Sequence, residues 1–174
     1  MKDPRYPVGK FEPKGEFSSA LRKELIQQIA DTPVHLRAAV KGLSDKQLDT
    51  RYREGGWTIR QVTHHLPDSH LNSYVRFKLG MTEEQPTIKP YKENLWAELA
   101  EAKTAPVEIS LVLLESLHKR WVLFLKSMNH ADFARTINHP ESGIQKLEYF
   151  LRLYAWHGRH HVAQITSLRE RMGW

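Results

Sequence analysis

Apolar residues recur at helical spacing through four long stretches of the chain, and no stretch of any length alternates as a half-buried strand would. The first stretch follows Ser18 or Ser19 as N-cap and carries Leu21, Leu25, Ile26 and Ile29 on one side. Pro33 predicts an interruption there, with Asp31 or Thr32 capping a second segment that runs to about Gly42. Ser44 and Gln47 have capping-box spacing and predict one short helix. Thr58 and Gln61 repeat that spacing and open a long helix ending near Gly80, with a kink expected at Pro67. A proline-rich connection, helical from about Lys92, leads to Pro106 and a helix to about Asn129. On that helix Val107, Leu111, Leu114, Leu117, Trp121 and Leu125 form one stripe. RTINHPESGIQK reads as a turn-rich break, and the last helix runs from about Lys146 to Arg171. Residues 1–17, with three prolines and two glycines, read as an extended arm. The expectation is an all-α four-helix bundle with long connections and short accessory helices, formed by residues 1–174 as a single domain.

Composition narrows the function. At 174 residues the chain is long enough to bury a core unaided. The absence of cysteine excludes disulfides and thiolate ligands and fits a cytoplasmic setting. No run approaches the roughly 20 apolar residues of a membrane span, and the N-terminus lacks the apolar core of a secretion signal. The net charge of +6 is spread among acidic residues, as in LRKEL and LRERM, which reads as solvated helix faces and not as a nucleic-acid surface.

Ten histidines turn attention to imidazole chemistry. On the last helix the core-facing seam runs Leu147, Leu151, Tyr154, Gly158, His161, Ile165, Leu168 and Met172. His157 lies one turn before His161, and a pair spaced i, i+4 is the common way for one helix to offer two imidazoles to one metal. His160 projects about 100° away from the seam and reads as a surface or interface residue. On the wheel for residues 58–80, His65 sits in the middle of the apolar arc, flanked by Asp68, Ser69 and Asn72. Leu71, Val75 and Leu79 fall at one edge of that arc, His64 is the second choice, and His70 points to the far face. His35, His118, His130 and His139 lack a partner at ligand spacing and read as surface residues. Three neutral imidazoles on one divalent transition metal, Zn²⁺ or Ni²⁺, leave an open position, which is the catalytic arrangement and not the closed structural one. Such an ion can acidify a bound water or thiol. Asp68, one turn from His65, is a candidate to orient a ligand or act as base; Glu108 and Glu115 remain open for the latter role.

Several blocks of the sequence, RYPVGKF, GGWTIRQVTHHLPDSHLNSYVRFKL, PTIKPYKENLWAEL, LHKRWVLFLKS and YAWHGRHHVAQI, resemble the YfiT branch of the DinB-like superfamily over nearly the whole chain. The resemblance implies an up-down-down-up four-helix bundle holding one metal through a histidine of the second main helix and an H-x-x-x-H pair of the last. That first ligand lies eight residues after a helix-opening tryptophan, which from Trp57 gives His65; the pair maps to His157 and His161. The doubled histidines 64–65 and 160–161 leave the register open by one position. Pro67 departs from the small residue expected there. The resemblance further implies a metal-dependent hydrolase acting on a small molecule. Its alternative is an S-transferase joining a low-molecular-weight thiol of the bacillithiol type to electrophiles. A homodimer is also implied, and Tyr149, Phe150 and Trp156 are aromatic surface that one small core is expected not to bury fully.

Overall fold

The computed structural model describes residues 3–174. Four long helices dominate: α1 (Ser19–Val40), α3 (Ile59–Thr82), α6 (Val107–Ser127) and α7 (Leu147–Met172). Between them lie the short helices α2 (Asp45–Leu48), α4 (Glu93–Trp96) and α5 (Ala100–Thr104), and an antiparallel hairpin, β1 (Thr136–His139) with β2 (Gly143–Lys146). Both capping boxes form. Ser44 and Thr58 each accept from the backbone three residues on, and Gln47 and Gln61 reach back to the cap. Gly173, in the left-handed region at φ +69°, ends α7. No described helix is long and apolar enough to cross a membrane.

Each helix packs on two neighbours, in the ring α1–α6–α3–α7. Two apolar clusters fill the bundle. One gathers Ile29, Phe77, Trp121, Phe133, Leu151 and Ala155; the other gathers Leu36, Leu66, Leu114, Ile165 and Leu168. On every long helix the residues between those two sets form a polar layer: 29 to 36, 66 to 77, 114 to 121 and 155 to 165. The candidate site described below occupies that layer.

Three expectations need correction. Pro33 lies inside one continuous α1 and does not start a new segment. A proline there removes only its own N–H bond, to the carbonyl four residues back, and that carbonyl finds another donor, described below. The turn-rich break contains the hairpin, with Thr136 opposite Lys146; its four-residue strands are too short to show a period. On α3, Leu71 and Val75 are exposed at 43% and 47%, while Ser69, His70, Ser73 and Arg76 are buried. The apolar arc of the wheel therefore misplaced the inner face beyond Pro67, because that face is the polar layer.

The N-terminal arm is extended and irregular, as expected, and runs along α7. Trp156 Nε1 donates to Gly9 O at 3.1 Å, and Arg152 donates to the carbonyls of Lys14 and Gly15 at 2.6 and 3.0 Å. Phe11 packs on Tyr149 and Trp156. Phe150 is fully buried in the core. The aromatic residues expected to form surplus surface are thus covered by their own chain.

Candidate metal centre

Thr58 starts α3 in the register that turns His65 inward, and Trp57 lies against that ring at a centroid distance of 4.7 Å. From α7 come His157 and His161, one turn apart. Their backbone is held close to α1 because residue 158 is glycine: a Cβ there would meet Thr32 Oγ1 and lie 2.7 Å from Thr32 Cγ2. The three imidazoles converge. His157 Nε2 is 3.3 Å from His65 Nε2 and 3.2 Å from His161 Nε2, and the three candidate ligand atoms all lie within 4.8 Å of one another. Nitrogens bound to one tetrahedral ion at about 2.0–2.1 Å would be about 3.3–3.4 Å apart. No carboxylate among the described residues joins the group.

The outer nitrogens decide which way the lone pairs point. Pro33 has no N–H, so Ile29 O is released from the α1 ladder. His118 Nδ1 lies 2.7 Å from that oxygen and must donate to it, since a carbonyl only accepts. His118 Nε2 is then an acceptor and takes the His70 Nδ1 proton at 2.8 Å. His70 Nε2 in turn accepts from His157 Nδ1 at 3.1 Å. The series leaves His157 Nε2 without a hydrogen, its lone pair aimed at the centre. One member comes from each of the four long helices. His161 is fixed separately. Gln164 Nε2 faces two acceptors, Arg5 O at 3.4 Å and His160 Nε2 at 2.9 Å, so Gln164 Oε1 accepts from His161 Nδ1 at 2.9 Å. His161 Nε2 therefore also presents a lone pair. Two lone pairs facing each other at 3.2 Å with no hydrogen between them repel, and a cation between them relieves it. Partners on the outer nitrogen that fix tautomer and ring orientation are the usual support of metal-binding histidines. The residues present fit a divalent ion.

Burial reinforces the neutral forms. It holds the His65 imidazole down to about 3 and those of His157 and His161 well below the ordinary value, with neighbouring histidines adding to the effect. A cavity of about 360 Å³ opens onto the centre. Its walls include Trp57 and Trp156, its cations are Arg5 and Arg53, and Tyr6 on the arm closes one side.

His65, His157 and His161 are thus brought together, and their doubled neighbours are not. His64 turns towards α6, with Nδ1 2.7 Å from Ser110 Oγ and Nε2 3.1 Å from Ala105 O. His160 does not lie on the surface. It is buried, stacks on Trp156 at 4.4 Å and is covered by Tyr6. His70 and His118, read from sequence as a far-face and a surface residue, are both buried in the polar layer. The signal available was spacing: His70 follows His65 by five residues, too far round a wheel to share its face, yet α3 is flanked by both α6 and α7. Asp68 makes no side-chain hydrogen bond to the three histidines; burial, with Glu101 adding to it, pushes its carboxyl up to about 6. Glu108 and Glu115 are ion-paired to Arg37, away from the centre.

Comparison with known proteins agrees with this architecture. The sequence profile of the DinB superfamily matches residues 28–165. A protein of Bacillus mycoides, named provisionally as a metal-dependent hydrolase, is 60% identical over the full length of both chains. A Bacillus cereus protein of the same provisional name is 58% identical, again over the full length of both. Among solved structures, YfiT from Bacillus subtilis, described as a probable metal-dependent hydrolase with an unusual four-helix bundle topology, superimposes with a TM-score of 0.95. It is 48% identical over 98% of each chain.

Proposed function

The chain belongs to the DinB superfamily, and from that premise we propose that it is a metal-dependent hydrolase of a small-molecule substrate. His65, His157 and His161 hold one divalent transition-metal ion, Zn²⁺ or Ni²⁺, both of which accept neutral imidazole. The observation that carries this reading is the pair of inward lone pairs on His157 and His161, locked from outside and spaced for one ion. An ion bound there would supply Lewis acidity, acidifying water or polarising a substrate oxygen. Three protein ligands leave the side facing the cavity free for a reactant. Trp57 and Trp156 present flat apolar walls to that reactant; Arg53 adds a cation at the mouth, while Arg5 is paired with Asp3 and Glu93 lines the same cavity.

The test uses purified protein loaded with Zn²⁺ or Ni²⁺. A panel of esters and amides is assayed beside bacillithiol plus a chromogenic electrophile. Metal-dependent turnover of an ester or amide, lost in His161→Ala, is expected. Turnover only when thiol and electrophile are both present would replace hydrolysis with thiol transfer.

We also read the chain as a homodimer. The support is exposed apolar surface on α1 and α6: Val34 at 68% near Leu123 at 72%, and Ile109, Val112 and Leu113 towards the start of α6. Sedimentation velocity at micromolar concentration should give about twice 20.3 kDa; a species at 20.3 kDa would end this reading.

A further inference from the structure

The inner face of α3 continues past His65 as a second polar row. Ser69, Ser73 and Arg76 follow at steps of four, four and three, so all share the face that carries the ligand, and all are buried. Arg76 is the unexpected member. It is 8% exposed, yet among the described residues it has no carboxylate at ion-pair distance. Its hydrogen bond to a side chain is a weak one, from Nη1 to Tyr154 Oη at 3.5 Å. A guanidinium carries five donors, and burying its charge without a counter-charge is costly.

Other groups around it are also short of partners. The hydroxyls of Ser73 and Tyr91 are buried with no hydrogen bond among the described residues. Tyr154 Oη accepts from Ser69 Oγ and from Arg76, which leaves its own proton to give. Arg76, Tyr91, Tyr154 and Ser69 border a cavity of about 620 Å³. His157, Glu93 and Asn94 line this cavity as well as the one over the histidine centre, so the two are neighbours with a common wall.

We propose that this second cavity is an oxyanion subsite, in which Arg76 and Tyr91 hold a carboxylate or phosphate group of a small-molecule ligand. The planar fork of arginine matches either group through two parallel N–H bonds. Glu93 and Glu141 line the same cavity, against the cations Arg76 and Lys92, and these carboxylates oppose a polyanion and favour a single small oxyanion as the ligand. As an anion site the proposal needs no metal. As the place where the substrate's charged end docks, it rests on the hydrolase reading above.

The experiment titrates inorganic phosphate, and separately succinate, into metal-free and Zn²⁺-loaded protein by calorimetry. At least one anion should bind both forms, and which one does identifies the ligand chemistry. Arg76→Met should weaken that binding at least tenfold while the Zn²⁺ stoichiometry stays at the wild-type value. Arg76→Lys, which keeps charge but loses the fork, should fall between, and Tyr91→Phe should weaken binding severalfold. Circular dichroism checks each variant; if Arg76→Met is unfolded, the lysine and Tyr91 variants decide. Absence of binding to both wild-type forms overturns the subsite. So does binding that requires Zn²⁺ and is unchanged by the substitutions, because the metal itself would then be the anion site. A wild-type protein that binds phosphate but no metal would sink the hydrolase reading and leave the subsite standing.

Discussion

Histidine side chains divide the labour at this centre by what their outer nitrogen touches. His65 and His161 aim at the cavity, whereas His64 is spent on Ser110 and Ala105. Replacing His65 or His161 with alanine should therefore remove most metal binding and leave helical content intact, while His64→Ala binds metal nearly normally. Metal analysis with circular dichroism on the same samples checks this, and the reverse pattern for His64 and His65 would contradict it. His118 never approaches the centre, yet it sets the tautomer of His157 through His70. His118→Leu preserves bulk but offers no acceptor, and should weaken metal affinity about 10- to 100-fold, the usual loss when a supporting partner is removed. His118→Gln, able to accept from His70 and donate to Ile29 O, should recover most of it. Nitrogen-15 NMR of metal-free protein gives a readout that packing alone would not move: His157 should hold its proton on Nδ1 in wild type and lose that preference in the leucine variant.

Among the elements, what the sequence made legible was periodic and apolar. The stripe of α6 and the seam of α7 are buried where the spacing put them, from Leu111 to Leu125 and from Leu147 to Leu168, with only Met172 exposed at the end. Both capping boxes were equally readable, because each is a local rule between two residues three apart. The half of α3 beyond Pro67 was not, since its inner face is polar and hydrophobicity points the wrong way there. Nor could spacing reveal that a proline in α1 supplies an acceptor to α6, a relation between helices with no local signature. Helix α7 also depends on α1 through Gly158. A methyl group there would push into Thr32 beside His157, so Gly158→Ala should cost about 1–3 kcal/mol, as overpacking does. Thr32→Ala should be mild alone and should recover much of the loss in the double variant. Additive losses in denaturant unfolding would show that the two do not meet.

For the molecule as a whole, the dominant electrostatic fact is how many imidazoles folding holds neutral. His64, His65, His70, His118, His157, His160 and His161 are all lowered from 6.5, with burial the first cause in each. Unfolded, each takes a proton near pH 6.5; folded, His118 and His160 wait until about 4. The unfolded chain thus binds more protons in between, so the stability these groups contribute is present above 6.5 and is lost as pH falls towards the folded values. Each buried histidine contributes a slope of about 1.4 kcal/mol per pH unit in that window. The melting temperature of metal-free protein should drop steeply between pH 7 and pH 5. A flat profile would mean that these rings take up protons as readily in the folded chain as in the unfolded one. Saturating metal should raise the curve by mass action at the upper end of the window.

The series from His157 to Ile29 also bears on proton traffic. Three imidazoles joined end to end resemble a conduit, one in which each ring passes a proton on and turns over its tautomer. This conduit has no exit. Its far end is an amide carbonyl freed by Pro33, which accepts a hydrogen bond but does not take up a proton at ordinary pH. Under the proposed hydrolysis, a proton released at the centre would leave through the open cavity, by way of water or buffer, and the buried row would serve as a mount and not as a path.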